Sequence, residues 1–220
     1  MRTEADENYL KEIYNLSLDN QQVTTSMLAE RLRYTPATVS GMLKKLAGLS
    51  WVDYEPYQGV RLTESGRAVA LEVIRHHRLI ETYLAKALNI PWEKVHDEAE
   101  VLEHSLSEYL EERIDEQLGR PKTDPHGSPI PSHGGEISAS ARLRLVDLSP
   151  GDRGAIVEVN DRIPGLLTQL DKRKLFPGTE FKVLNVEPID ALITIQSSGK
   201  QHILGRTTAG QIIVRKIGAA

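Results

Sequence analysis

The 220-residue chain contains no cysteine. That excludes disulfides, zinc–thiolate clusters and cysteine nucleophiles together, so any metal chemistry must use nitrogen and oxygen donors. Charge of one sign is not in large excess either: 27 Lys and Arg stand against 31 Asp and Glu, a formal net of −4. The chain as a whole is therefore not a polycation. No apolar run approaches a membrane span, and Met1-Arg-Thr-Glu-Ala-Asp-Glu7 lacks the apolar core of a signal peptide. The expectation is a soluble cytoplasmic protein with no membrane partner. There is no internal repeat, and the length suits one large domain or two to three small ones.

What is present is concentrated in His96-Asp-Glu-Ala-Glu-Val-Leu-Glu-His104. On a continuous helix, His96, Glu100, Glu103 and His104 project near about 0°, 40°, −20° and 80°, so all four share one face. A run of charge is usually a solvated face, but two imidazoles among carboxylates suit metal ligation better than mere solubility. One ion cannot use all four. At ~1.5 Å rise per residue the outer histidines stand about 12 Å apart along the axis, whereas ligand bonds are about 2.0–2.3 Å. Two sites are expected, or one site and a bystander. His77 and Glu81 lie one helical turn apart upstream and can complete one site with His96. Glu100, Glu103 and His104 then need a further donor.

The N-terminal third has a different pattern. Residues 4–17 carry Tyr9, Leu10, Ile13, Tyr14 and Leu16 at helical spacing. Thr24 or Thr25 can cap a second helix, and Thr35-Pro36 supplies a cap and a first-turn proline for a third helix over 36–48. Two short helices joined by a tight turn form a helix-turn-helix pattern. The β-prone runs Trp51-Val-Asp-Tyr-Glu55 and Gly59-Val-Arg-Leu-Thr63 predict a hairpin, hence a winged helix. Between Arg31 and Arg75 basic residues outnumber acidic ones, a modest signal for phosphate contact.

Further helices are expected from 66 to 88 and from 92 to 118. The composition changes at Gly119-Arg-Pro-Lys-Thr-Asp-Pro-His-Gly-Ser-Pro-Ile-Pro131, which reads as a linker or an ordered proline-rich turn. His126 and His133 fall in it and are not expected to be ligands. Strands are expected at 142–147, 154–160, 180–187, 190–196, 201–205 and 210–215, which suggests a small SH3-like barrel.

Several segments together now carry a likeness: Tyr9-Leu-Lys-Glu-Ile-Tyr14, Leu28-Ala-Glu-Arg-Leu32, Thr38-Val-Ser40, Leu62-Thr-Glu-Ser-Gly-Arg67, His77-Arg-Leu-Ile-Glu81, Val95-His-Asp-Glu-Ala-Glu100, Glu103-His104 and Asp124-Pro-His-Gly-Ser-Pro-Ile-Pro131. Over its full length the chain resembles the diphtheria-toxin-repressor family of metal-dependent transcription regulators, which has iron- and manganese-responsive branches. The resemblance implies an α+β protein: a winged helix-turn-helix DNA-binding domain over 1–72, a helical dimerisation and metal-binding domain over 73–119, a Pro/Gly-rich linker over 120–141, and an SH3-like (FeoA-like) domain over 142–220. It implies one metal site of His77, Glu81 and His96, and another of Glu100, Glu103 and His104 with Asn8 from the first helix. Iron-type members carry cysteine and methionine at the positions of Glu100 and Asn8, and manganese-type members carry Glu and usually Asp. Mn²⁺ is therefore expected, with Fe²⁺ as the alternative, because hard oxygen donors suit these ions. Glu7 or Glu12 can substitute for the uncharged Asn8. No ligand is carried over from the SH3-like domain, where the matching positions are Arg162 and Gly165.

The implied function is repression of metal-uptake genes by a homodimer on a double-stranded DNA operator. Thr35, Ala37, Thr38, Ser40 and Gly41 lie at the exposed start of the recognition helix. Thr24, Thr25, Ser26, Thr38, Ser40, Lys44 and Lys45 suit phosphate contact. The rival readings are a carboxylate-bridged di-metal enzyme and a metal-independent DNA-binding regulator. The first lacks a second copy of a Glu-x-x-His motif, and heat on titration with Mn²⁺ or Fe²⁺ would separate the second.

Overall fold

A computed structural model describes residues 2–137, 142–189 and 192–218. It contains two compact units, and each is described by itself. The first comprises residues 1–77, 101–108 and 131–136. Its chain begins with α1 (Glu4–Ser17), closed by a capping box in which Thr3 and Asp6 serve each other's backbone N–H groups. Helix α2 (Thr25–Leu32) is capped by Thr24 and stopped by Arg33 in the left-handed conformation. Helix α3 (Pro36–Gly48) is capped by Thr35, with Pro36 in its first turn. Strands β1 (Val52–Glu55) and β2 (Gly59–Leu62) pair antiparallel, and Val23 bridges to Val60 beside them. Leu10, Ile13, Leu28, Val39, Leu43 and Leu46 are buried at the centre of this winged helix. Gly66 must be glycine for packing, since a Cβ there would stand 1.8 Å from the Trp51 carbonyl oxygen.

Helix α4 (Glu64–Leu88) continues from the first unit into the second. The expected helix over 92–118 is broken. Helix α5 (Val95–Leu102) stops, a 3-10 turn covers Glu103–Ser105, Leu106 is extended, and α6 (Glu108–Gln117) starts afresh. The break falls where Glu103 and His104 turn to partners on α1. The single-face reading of the four candidate residues therefore holds only as far as α5 runs, and tertiary contacts override the helical periodicity beyond it.

The second unit comprises residues 78–100, 109–130 and 137–220, and it holds a five-stranded antiparallel sheet in the order β6-β5-β4-β3-β7. The strands are β3 (Arg153–Val159), β4 (Glu180–Glu187), β5 (Leu192–Ser197), β6 (Lys200–Gly205) and β7 (Ile212–Lys216). Two short helices, α7 (Leu166–Arg173) and α8 (Arg206–Ala209), were not expected from the sequence. Leu166, Leu167 and Leu170 pack α7 onto the aliphatic core with Ile156, Val183, Ile195 and Val214. The strand expected at 142–147 is instead a 3-10 turn, Leu145–Asp147, because the Asp147 carboxylate accepts the Arg144 N–H and folds the backbone back. Residues 190–191 and 138–141 of the expected strand and linker lie outside the described residues.

The described proline-rich segment is ordered. Asp124 Oδ1 accepts the backbone N–H groups of His126 (2.8 Å) and Ser128 (3.0 Å), and the His126 carbonyl accepts the Val159 N–H at 2.9 Å. Gly127 sits at φ +89°, and a Cβ there would lie 1.9 Å from the Val157 carbonyl oxygen. The segment is thereby fastened to β3.

Candidate metal centre

In the first unit a polar cluster forms between α1 and the Glu103–Ser105 turn. His104 Nδ1 lies 2.5 Å from Glu7 Oε2, and its Nε2 lies 3.1 Å from Asn8 Oδ1 and 3.3 Å from Glu103 Oε1. Glu103 is almost wholly buried, with Lys11 Nζ at 2.5 Å from one oxygen and His77 Nδ1 at 2.6 Å from the other. Burial would raise the Glu103 carboxyl, but the His77 hydrogen bond and the Lys11 charge outweigh it and hold the group below the usual carboxylate range. Asn8, Glu103 and His104 thus stand together here, joined by Glu7. Glu12 instead meets Arg31 at 2.8 Å.

In the second unit α4 and α5 bring Glu81 and His96 together, with His96 Nδ1 3.3 Å from Glu81 Oε1. The loop after β3 adds Asp161, whose Oδ2 is 3.1 Å from the same nitrogen. Glu100 lies one turn along α5, 3.7 Å from His96 Nε2. The proline-rich segment contributes Asp124 and His126, and one donor atom from each of Glu81, Asp124 and His126 falls within a 4.8 Å group. His126 Nε2 is 2.7 Å from the Trp92 carbonyl, so that nitrogen carries a hydrogen and donates it. The buried Nδ1 has no hydrogen-bond partner among the described residues and faces Glu81 Oε1 at 3.7 Å and Asp161 Oδ2 at 3.8 Å.

The electrostatics of this cluster are those of excess negative charge. Desolvation disfavours the His96 imidazolium, but hydrogen bonds to Asp161 and Glu81 overcome it and raise the group to about 10. Desolvation likewise opposes the charge on His126, and Glu81 and Asp124 push it up to about 9. Burial, then Glu81, raises the Asp124 carboxyl. Imidazoles that hold protons only because carboxylates surround them can exchange those protons for a divalent cation. Both clusters fit a hard metal ion: their donors are oxygen and nitrogen, and His126 Nδ1 is a buried donor atom left unsatisfied.

The sequence does not single out Asp161, and it leads to the expectation that His126 is not a ligand. The first lies on a loop and the second in a segment read as a linker, so neither had a periodic pattern to place it. The signal that could have found His126 is the Asp124-Pro-His-Gly127 sequence, whose Asp and Gly dictate an ordered turn.

Of the residues expected to contact DNA, Thr24, Ser26, Thr35, Ala37, Thr38, Gly41 and Lys44 are exposed, while Thr25 and Ser40 are half-buried. Lys45 is exposed in part, yet its Nζ lies 2.6 Å from Asp6 Oδ1.

A winged helix beside clustered oxygen and nitrogen donors defines a metal-responsive DNA-binding regulator. Comparison with known proteins makes this specific. Residues 1–60 match the iron dependent repressor N-terminal DNA binding domain, 63–132 the iron dependent repressor metal binding and dimerisation domain, and 143–216 the FeoA domain. The chain is 32% identical to the iron-dependent repressor IdeR of Mycobacterium leprae, over 97% of this chain and 98% of that one. It is 32% identical to the diphtheria toxin repressor of Corynebacterium glutamicum, over 83% of this chain and 84% of that one. Among solved structures, a manganese-dependent transcriptional repressor in complex with manganese aligns with a TM-score of 0.92 and 36% identity, covering 96% of this chain and 100% of that one. The chain belongs to the iron-dependent repressor family that includes the diphtheria toxin repressors. It is a metal-dependent transcriptional repressor with DNA-binding, metal-binding and FeoA domains, and not an enzyme. Among the described residues no helix is long and apolar enough to cross a membrane.

Proposed function

We propose that this repressor responds to Mn²⁺, with Fe²⁺ as the next choice, at two positions per chain, and that it represses metal-uptake genes as a homodimer. One position is held by Asn8, Glu7, Glu103 and His104, with His77 against Glu103. The other is held by Glu81, His96, Asp161, Asp124 and His126, with Glu100 beside His96. The bound ion supplies positive charge that neutralises clustered carboxylates. Hard donors without sulfur favour Mn²⁺ or Fe²⁺ over thiophilic ions. The likeness to a manganese-dependent repressor supports manganese, and that to IdeR keeps iron as the alternative.

The observation that carries the reading is the cluster joining α1 to the Glu103–His104 turn. Helix α1 packs within the winged helix, so a ligand there bears directly on the DNA-reading module. Thr24, Thr25, Ser26, Thr35, Ala37, Thr38, Ser40, Gly41 and Lys44 form its contact surface. Their small side chains offer few bidentate base contacts, so methyl contacts, water and DNA shape carry much of the specificity. Recognition helices of the dimer read major grooves about 34 Å or a multiple apart.

Mobility-shift titration on a duplex selected from a randomised pool tests the reading. DNA affinity should rise about 5–150-fold between chelator and saturating Mn²⁺. Equal affinity in the two conditions would falsify the switch.

A further inference from the structure

Asp6 is buried, although its neighbours on α1 are charged and the recognition helix ends in two lysines. Both of its oxygens are used. Oδ2 accepts the Thr3 N–H at 3.0 Å, which closes the first turn of α1. Oδ1 accepts from Lys45 Nζ at 2.6 Å, on the last turn of α3. The next two residues, Glu7 and Asn8, point to His104, at 2.5 and 3.1 Å. One capped turn of helix is therefore gripped on one side by the candidate metal cluster and on the other by the recognition helix. A turn held by a capping box moves as a unit, and a buried carboxylate cannot release a cationic partner at 2.6 Å cheaply.

We propose that Asp6 is a positioning residue that carries metal occupancy at Glu7, Asn8 and His104 into the recognition helix through its ion pair with Lys45. This rests on the metal-switch reading above. It assigns Lys45 a different role from the phosphate contact expected from sequence: the ammonium fixes the tilt of α3 against α1.

The experiment uses the full-length protein, Mn²⁺ and a duplex selected by the wild type from a randomised pool. Calorimetry gives Mn²⁺ affinity, and titrations in Mn²⁺ and in chelator, at several salt concentrations, give DNA affinity. D6N should bind Mn²⁺ as the wild type does, within about twofold, yet lose most of the about 5–150-fold metal stimulation of DNA binding. K45Q should lose it equally, D6N/K45Q should be no worse than either single variant, and K45R should restore it. Neither D6N nor K45Q should change the slope of log affinity against log salt. Full metal stimulation in D6N would overturn the proposal. So would a slope reduced by about 1 per lysine in K45Q alone, the mark of a lost phosphate contact. If D6N does not fold, the K45Q and K45R pair decides by the same two readouts. A wild type indifferent to Mn²⁺ would remove the switch itself, and is seen before any variant is compared.

Discussion

The two clusters use the same donor types but balance their charge differently. In the first unit Glu103 is compensated by a fixed cation, Lys11, at 2.5 Å, with Arg2 playing a similar part for Glu7 at 2.6 Å. In the second, Glu81, Asp124 and Asp161 surround His96 and His126, which titrate. The fixed cations here stand farther off: Arg78 is 3.7 Å from Asp124 and Arg162 4.0 Å from Asp161. A permanent ammonium makes the first cluster a structural joint as well as a site. Protonatable imidazoles give the second cluster bound protons that a divalent cation could displace.

The comparison predicts its own tests. The largest effect should come from Glu103→Ala, which removes the carboxylate 2.5 Å from the buried Lys11 ammonium. Urea unfolding should show a loss of about 3–5 kcal/mol, and replacing both partners, Lys11→Met with Glu103→Leu, should recover most of it. Asp161→Ala should cost less, because His96 keeps Glu81 as an acceptor and can also release its proton. If the two alanine variants lose equal stability, the distinction between fixed and titratable compensation collapses.

Proton linkage separates the clusters next. His96 is raised to about 10 in the fold, against about 6.5 unfolded. Its contribution to stability is therefore complete below about 6.5 and is lost as pH rises toward the folded value. Metal-free protein should weaken between about pH 7 and pH 10, and His96→Gln should flatten that part of the profile. Mn²⁺ binding at this cluster should also release about one to two protons at neutral pH. Calorimetry in buffers of different ionisation heat measures that release, and buffer-independent heats would refute it.

Gly127→Ala should be milder. The substitution forces a Cβ to 1.9 Å from the Val157 oxygen at a positive φ, and should cost about 1–3 kcal/mol. Because the same turn carries His126, Mn²⁺ affinity of the second cluster should fall while the first is unaffected. Thr35→Ala is the smallest, about 1 kcal/mol from the lost cap on α3. A thermal melt detects it, and neither cluster should change its metal affinity.

Much of the fold was legible before any coordinates. The caps at Thr24 and Thr35, the proline at 36 and the hairpin around Pro56–Gly59 place the winged helix almost residue for residue, since local chemistry decides such features. The sheet was read nearly as well, apart from 142–147, where a side-chain-to-backbone bond at Asp147 diverts the chain. Helix α7 escaped notice because eight residues with three inward leucines carry little periodic signal. The helix expected over 92–118 is longer than the one observed because its pattern continues through Glu103 and His104, while the contacts that break it come from α1, far away in sequence.

The sequence by itself determined the donor chemistry, the helix starts of the winged helix and the family, because these depend on residue type and short-range spacing. Only the tertiary structure decided which donors stand together. It brought Glu7 and Asn8 to His104, gave Glu103 to Lys11, set Asp161 and His126 beside Glu81, and tied Lys45 to Asp6. These pairings join residues from 39 to 97 positions apart. Their partners are chosen by how buried charge is compensated across packed elements, which no local pattern records.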